Sequence, residues 1–272
     1  MIMNKTEEFY KEILKEKVVN VEDLKSISEK VLEIEDDKEY YYRKYIHKLL
    51  NEGKIGKIRR GMYYGIPLDQ IGEEFEVDRY IAGNKIKKGD ALAYHTALEL
   101  HGAAHSAHSK VFVLVTKEDR FRKFNFQDVE YVPVVNQLEV GHIAPIEYEN
   151  TTLSVTDPAR TFVDCLSRSD LCGGWEECLK SLANLKGLLL SDIKEVLSAY
   201  DNKTLELKCG YVLELLSDNS PYYDHIQKEE LEPLKPSQEW KPVYIDRDVP
   251  SELEEDWGIY VPKGLEDLLR GV

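Results

Sequence analysis

Residues 38–67, KEYYYRKYIHKLLNEGKIGKIRRGMYYGIP, decide the fold of the N-terminal part of the chain. The first half predicts a helix over residues 38–51, and Gly53 follows at the position where helices often end in glycine. Its buried stripe consists of Tyr42, Tyr45, Ile46, Leu49 and Leu50. The second half places apolar residues on both sides of Arg59-Arg60-Gly61, which predicts a two-stranded hairpin with two arginines at its tip.

Two shorter helices are predicted upstream of this segment. Apolar spacing indicates helices over residues 6–17 and 21–30, with a break at residues 18–20 and an acidic loop at residues 33–37. Three helices followed by a basic hairpin are the order of a winged helix-turn-helix. The sequence therefore predicts a winged-helix DNA-binding domain over residues 1–70, with the third helix in the major groove and the hairpin on phosphates.

The distribution of charge supports a local anion-binding surface. The 272 residues carry 36 Lys+Arg and 51 Asp+Glu, a net charge of -15 that argues against a general polyanion binder. Residues 1–70 are balanced, yet residues 38–60 hold eight basic and two acidic side chains. We expect phosphate contacts from Lys44, Lys48, Arg59 and Arg60, and contacts to base edges from Tyr41, Arg43 and His47. Lys57 is a further candidate for nucleic-acid binding. A winged helix used only for protein contacts is the alternative.

The rest of the chain predicts a mixed α+β domain over residues 71–272, because its strands come first and most of its helices later. Short helices are expected at residues 81–87 and 90–101. Strands are expected at residues 110–116, 121–126, 128–135, 143–149 and 152–155. Asp157 with Pro158 predicts a capped helix start, and further helices are expected at residues 174–186, 191–200 and 205–216. The acidic tail offers edge strands near residues 244–245 and 259–261.

Four short motifs, in this order along the chain, are similar to those of AbiEi-type antitoxins. They are Leu49-Leu50-x-x-Gly53-Lys54-Ile55 with Arg59-Arg60-Gly61-x-Tyr63; Tyr94-His95-x-Ala97-Leu98-x-x-His101-Gly102; Val155-Thr156-Asp157-Pro158-x-Arg160-Thr161-x-x-Asp164 followed by Gly173-Gly174; and Trp257-x-Ile259-Tyr260-Val261-Pro262. The acidic stretch at residues 33–37 departs from the family pattern.

The resemblance implies a transcriptional regulator of a phage-defence toxin–antitoxin system. Its N-terminal domain would bind operator DNA upstream of its own operon, and its C-terminal domain would counter a nucleotidyltransferase-like toxin encoded next door. The sequence has no phosphate-binding or nucleophile-elbow motif, so we expect no cofactor and no enzymatic activity. The N-terminus has no apolar signal-peptide core and no run reaches the length of a membrane span, so we expect a cytoplasmic protein.

Other candidate sites have simpler structural interpretations. Cys165, Cys172, Cys178 and Cys209 lack zinc-site spacing, so we expect reduced thiols and no metal. His101 and His105 have an i, i+4 spacing, but a helix end is expected between them. A cap at Asp157 and an ion pair between Arg160 and Asp164 are favoured over catalytic carboxylates. Two alternatives stay open: a nuclease or nucleotidyltransferase delivered by the winged helix, and a scaffold whose acidic domain masks a toxin.

Overall fold

The structure is a computed structural model that describes residues 5–32, 39–87, 89–135, 141–237, 240–247 and 249–269. The side chains of residues 32 and 39–42 lie outside this description, as does the acidic stretch predicted as a loop at residues 33–37.

The N-terminal unit is built from three helices and a small sheet. Its elements are α1 (Lys5–Glu16), β1 (Val18–Val19), α2 (Val21–Leu32), α3 (Glu39–Asn51), β2 (Ile55–Arg59) and β3 (Met62–Gly65). The Asn20 side chain accepts hydrogen bonds from the backbone N–H groups of Glu22 and Asp23, which fixes the start of α2. Phe9, Ile13, Leu24, Ile46 and Leu49 form the core between the helices. The three predicted helices and the hairpin agree with these bounds.

The predicted break at residues 18–20 separates α1 from α2, and within it Val18 and Val19 form a strand that was not predicted. This strand pairs antiparallel with β3, Val18 opposite Tyr64 and Val19 opposite Tyr63, and gives the sheet order β1-β3-β2. Both valines are buried. Val19 packs in the core of the N-terminal helices, whereas Val18 packs in the core that the hairpin shares with the C-terminal unit.

The C-terminal unit centres on a mixed sheet. Its first elements are α4 (Arg79–Asn84), β4 (Ala91–Leu92), α5 (His95–Leu100), β5 (Lys110–Val115), β6 (Phe124–Phe126), β7 (Val129–Val135), β8 (Ile143–Tyr148) and β9 (Thr151–Thr156). Among the described residues the strand order is β6-β7-β5-β4-β9-β8, with parallel pairs at β5–β7 and β4–β9 and antiparallel pairs elsewhere. This arrangement confirms a mixed α+β architecture.

The continuous apolar run of β5 shows that the sheet is covered on both faces. Val111, Val113 and Val115 pack on the side of α4, whereas Phe112 and Leu114 pack into the core formed by the later helices. Those helices are α6 (Pro158–Ser167), α7 (Trp175–Ala183), α8 (Leu190–Tyr200) and α9 (Lys203–Asn219).

The prediction of one helix over residues 90–101 is wrong. Ala91 and Leu92 form β4, which pairs with β5 on one side and with β9 on the other, and α5 begins only at His95. The helical pattern of the sequence runs through both elements, but pairing within the sheet overrides it. At the other end, Gly102 adopts a φ of +66° and ends α5.

The tail adds a second small sheet. It contains β10 (Val243–Tyr244), β11 (Ser251–Glu254) and β12 (Ile259–Pro262) in the order β10-β12-β11. Trp257, before β12, is fully buried against α9, where its indole covers Gly210 and its N–H donates to Glu214. The four cysteines are free and buried, and burial raises the pKa of Cys165 to about 11. No helix among the described residues has the length and hydropathy that crossing a membrane requires.

The two units share a hydrophobic core. Ile58 and Met62 of the N-terminal hairpin (β2 and β3) pack with Val77 and Phe121 of the C-terminal unit. The ring of Tyr64 lies across Gly56, its partner in β2, and stacks on Phe75 with 5.7 Å between ring centroids. The C-terminal unit therefore covers one side of the hairpin, and Ile55 and Tyr63 pack into the core of the N-terminal helices. The side chains of Lys57 and Arg60 remain exposed.

Candidate functional site

Helix α3 presents a cationic face to solvent. Arg43, Lys44, His47 and Lys48 are all exposed, and they lie on the side opposite the buried Ile46 and Leu49. The spacing i, i+1, i+4, i+5 explains the grouping, because residues four apart are neighbours on a helix surface. Four of the predicted site residues thus lie together on one face.

Some of these cations are engaged only weakly. Lys44 lies over the ring of Tyr45 at 5.0 Å, and Lys48 is 3.9 Å from Glu52, the limit for an ion pair. By contrast, Lys54 is half-buried and bound by Glu7 at 2.6 Å and Glu52 at 3.0 Å. The side chain of Tyr41, a further predicted site residue, lies outside the described residues.

The hairpin tip carries a second pair of exposed cations. Strands β2 and β3 are joined by Arg60 and Gly61, and Gly61 adopts a φ of +79°, in the left-handed region that favours glycine. The Lys57 and Arg60 side chains are exposed. Within the described part of the chain, no carboxylate forms an ion pair with Lys44, Lys57 or Arg60, so their charges are available to an anion.

Arg59 occupies a different environment from its neighbour Arg60. Its guanidinium carbon lies 5.6 Å from the ring centroid of Phe121 and 4.9 Å from that of Phe124, both in the C-terminal unit. Burial lowers the pKa of Arg59. This geometry makes Arg59 a cation–π anchor between the two units, whereas the sequence had placed it among the phosphate contacts.

Sequence reasoning missed a group of cations beside this anchor. Arg120, Arg122 and Lys123 are exposed in the segment that leads into β6, and they flank the buried Phe121. The sequence RFRKF at residues 120–124 already showed basic residues alternating with phenylalanines. That this segment lies next to the hairpin follows only from the contact between Arg59 and Phe121, which are more than sixty residues apart in the chain.

A buried histidine cluster lies elsewhere in the C-terminal unit. The rings of His95 and His108 stack in parallel with centroids 3.6 Å apart, and His95 Nε2 lies 3.3 Å from Glu177 Oε1. Glu99 Oε1 accepts hydrogen bonds from the Arg79 guanidinium at 2.9 Å and from the His108 backbone N–H at 3.0 Å. Desolvation lowers the pKa of His95, which favours the neutral form of its ring.

This cluster is poorly arranged for a metal ion, although ligand atoms of His95, His108 and Glu177 lie within 4.8 Å of one another. The lone pair of an imidazole nitrogen lies in the ring plane, so the lone pairs of two stacked rings lie in two parallel planes, 3.6 Å apart between ring centroids. A tetrahedral ion requires lone pairs that converge. Glu177 Oε1 also accepts the Ser106 backbone N–H at 2.8 Å. The geometry favours a polar clamp that holds the segment after α5 against α7.

The remaining candidate side chains perform structural tasks. His101 Nε2 lies 2.8 Å from the Thr156 carbonyl oxygen, while His105 is exposed. Asp157 caps α6 by accepting the Arg160 backbone N–H at 2.8 Å. Arg160 and Asp164 form a buried ion pair at 3.4 Å. The predicted cap and ion pair are both confirmed.

The fold and the exposed cations together define a mixed α+β protein with a basic surface on its N-terminal unit. No protein-family model and no curated protein matches the chain. Among solved structures, it is similar to the crystal structure of RV2827C protein from Mycobacterium tuberculosis, with a TM-score of 0.64 and 16% identity. The match covers 99% of this chain and 95% of that chain. At this identity the likeness shows the fold alone.

Proposed function

We propose that this protein binds duplex DNA through α3 and the N-terminal hairpin, represses the operon that encodes it, and serves as the antitoxin of a nucleotidyltransferase-like toxin. The observation that carries the DNA-binding half is the exposed cationic face of α3, formed by Arg43, Lys44, His47 and Lys48 opposite the buried side of the helix.

The order of the N-terminal elements supports this assignment. Helices α1, α2 and α3 precede a two-stranded hairpin, and β1 pairs with β3 at the base of that hairpin. In a winged helix-turn-helix, the third helix enters the major groove and the hairpin lies beside it on the DNA backbone. Lys57 and Arg60 are then placed to contact phosphates.

The side chains on the cationic face of α3 differ in the DNA groups that they can contact. Lys44 and Lys48 are flexible point charges suited to phosphate oxygens, whereas Arg43 can donate two hydrogen bonds to a guanine edge. His47 lies one helical turn from Arg43 on the same face and can donate or accept at a base edge. Mutation of Arg43 and His47 should therefore reduce discrimination between sequences, and mutation of Lys44 and Lys48 should weaken all DNA binding.

A reporter gene placed behind the upstream region of the operon tests repression. The full chain should silence the reporter, and Lys44→Ala with Lys48→Ala should restore expression because two phosphate contacts are lost. Lys241→Ala with Lys263→Ala removes the same charge from exposed positions in the tail and is the matched control. Equal repression by both double variants would refute the role of α3.

The antitoxin half of the proposal rests on the four-motif resemblance to AbiEi-type proteins. Its test is co-expression with the neighbouring gene in a host whose growth that gene arrests. The full chain should restore growth, and the Lys44→Ala with Lys48→Ala variant, expressed from an unrelated promoter, should restore it equally. If this variant fails to restore growth, neutralisation of the toxin requires DNA binding. If the full chain fails to restore growth, the antitoxin assignment is refuted.

A further inference from the structure

The cation–π anchor places a loop of the C-terminal unit beside the tip of the N-terminal hairpin. Arg59 lies over the rings of Phe121 and Phe124, and the exposed Arg60 follows it directly in the turn. Arg120 and Arg122 flank Phe121 in the chain and are exposed. Because consecutive Cα atoms are about 3.8 Å apart, each of these three arginines lies within one residue of the contact between Arg59 and Phe121.

The loop also lines a shallow groove with positive walls. The groove has a volume of about 560 Å³ and is lined by Arg120, Phe121, Arg122, Lys123, Val132 and Pro133. Lys123 is bound to Glu130 at 2.9 Å, so its charge is partly neutralised. Within the described residues, Arg120 and Arg122 form no ion pair. The groove therefore offers two available guanidinium groups above an apolar floor.

We propose that Arg120 and Arg122 contact the DNA backbone and extend the binding surface from the N-terminal hairpin onto the C-terminal unit. This inference rests on the proposed function, since it requires that α3 and the hairpin engage DNA. Guanidinium groups match phosphate oxygens with two parallel hydrogen bonds, and backbone contacts of this kind add affinity and fix orientation without reading sequence.

The arrangement has a consequence for the two units. Because Ile58 and Met62 of the hairpin pack with Val77 and Phe121, the two basic surfaces lie on units that a shared core holds together, with or without the Arg59 contact. The acidic C-terminal unit would otherwise be repelled by phosphates, and two arginines at its edge give it a favourable point of contact.

The experiment compares the salt dependence of DNA binding for the full chain, for Arg120→Ala with Arg122→Ala, and for Lys241→Ala with Lys263→Ala. Each phosphate contact contributes about 0.9 to the slope of log K against log salt, so the arginine variant should lose about 1.8. If the full chain and the arginine variant bind equally at 1 M salt, this difference in slope makes the variant bind roughly 60-fold more weakly at 0.1 M. The ratio between upstream and scrambled DNA should stay unchanged, and the tail variant should match the full chain.

The outcomes separate this inference from the proposed function. A full chain that binds no DNA refutes the proposed function and this inference with it. A full chain that binds upstream DNA, with an unchanged slope in the arginine variant, refutes only the inference. Arg120→Lys with Arg122→Lys preserves both charges and should retain the slope. If the salt slope of the lysine variant falls as much as that of the alanine variant, phosphate neutralisation by Arg120 and Arg122 is refuted. Thermal melting of each variant confirms that it is folded.

Discussion

Replacing Arg59 with alanine should separate its structural role from a role in DNA binding. The guanidinium carbon lies within 6 Å of two aromatic centroids, at 5.6 Å from Phe121 and 4.9 Å from Phe124. Cation–π contacts contribute about 0.5–1 kcal/mol each at exposed sites and more when desolvated, and Arg59 is half-buried. Loss of both contacts should lower the free energy of unfolding by about 2 kcal/mol.

Thermal unfolding followed by circular dichroism measures this effect. For a chain of this size about 1 kcal/mol shifts Tm by roughly 2–4 °C, so Arg59→Ala should lower Tm by about 4–8 °C. Arg60→Ala is the matched control, because its exposed side chain has no ion pair among the described residues and its loss should cost about 0.5 kcal/mol at most. Equal Tm values for the two variants would refute the anchor.

DNA binding of the same two variants should show the opposite ranking. At a temperature well below the melting transition, Arg60→Ala should reduce the salt slope by about 0.9, and Arg59→Ala should leave it unchanged. The double variant should therefore lose about 0.9 of slope, whereas phosphate contacts from both Arg59 and Arg60, as expected from the sequence, would remove about 1.8. A larger slope change for Arg59→Ala than for Arg60→Ala would return Arg59 to the set of phosphate contacts.

Three further predictions concern stability. Gly210→Ala should lower the free energy of unfolding by about 1–3 kcal/mol, because its Cβ would overlap the indole of Trp257, and the shift of tryptophan fluorescence during denaturation measures the loss. Burial raises the pKa of Asp90 to about 7, above its unfolded value, so the wild-type chain loses stability as pH rises from about 4 to 7. Asp90→Asn should remove this loss and gain roughly 2–4 kcal/mol at pH 8 with little gain at pH 4, and equal gains at both pH values would contradict the assignment. Asp157→Ala should lower the free energy of unfolding by about 1 kcal/mol, because the cap of α6 is lost, and Asp157→Ser should recover most of this loss. Urea titration of both variants measures the two values.

Local patterns predicted most of the elements, because the relevant contacts lie close in sequence. The helical stripe at Ile46 and Leu49, the turn at Gly61 and the cap at Asp157 each depend on neighbours within a few residues. The short strands β1 and β4 escaped prediction because their pairing partners lie far away in sequence. Val18 and Val19 become a strand only through β3, more than forty residues later, and two residues are too few to show a period.

In the candidate site, too, the features set by neighbouring residues could be predicted from the sequence, and those set by distant contacts could not. The cationic face of α3 follows from spacing alone, since Arg43, Lys44, His47 and Lys48 must share one side of a helix. The role of Arg59 depends on Phe121 and Phe124, which only the folded chain brings near. Arg59 and Arg60 are adjacent and look equivalent in the sequence. The C-terminal unit packs against one face of the hairpin, so Arg59 is partly buried while Arg60 is exposed.

The central claim, sequence-specific DNA binding by α3 and the hairpin, is tested most directly by fluorescence anisotropy. The purified full chain is titrated into labelled duplex from its own upstream region and into a scrambled duplex of equal composition, at several salt concentrations. We predict tighter binding to the upstream duplex. The four phosphate contacts of Lys44, Lys48, Lys57 and Arg60 should give a log–log salt slope of about −3.6, and the contacts of Arg120 and Arg122 should bring it to about −5.4. No binding at low salt, or equal affinity for both duplexes, would contradict the account.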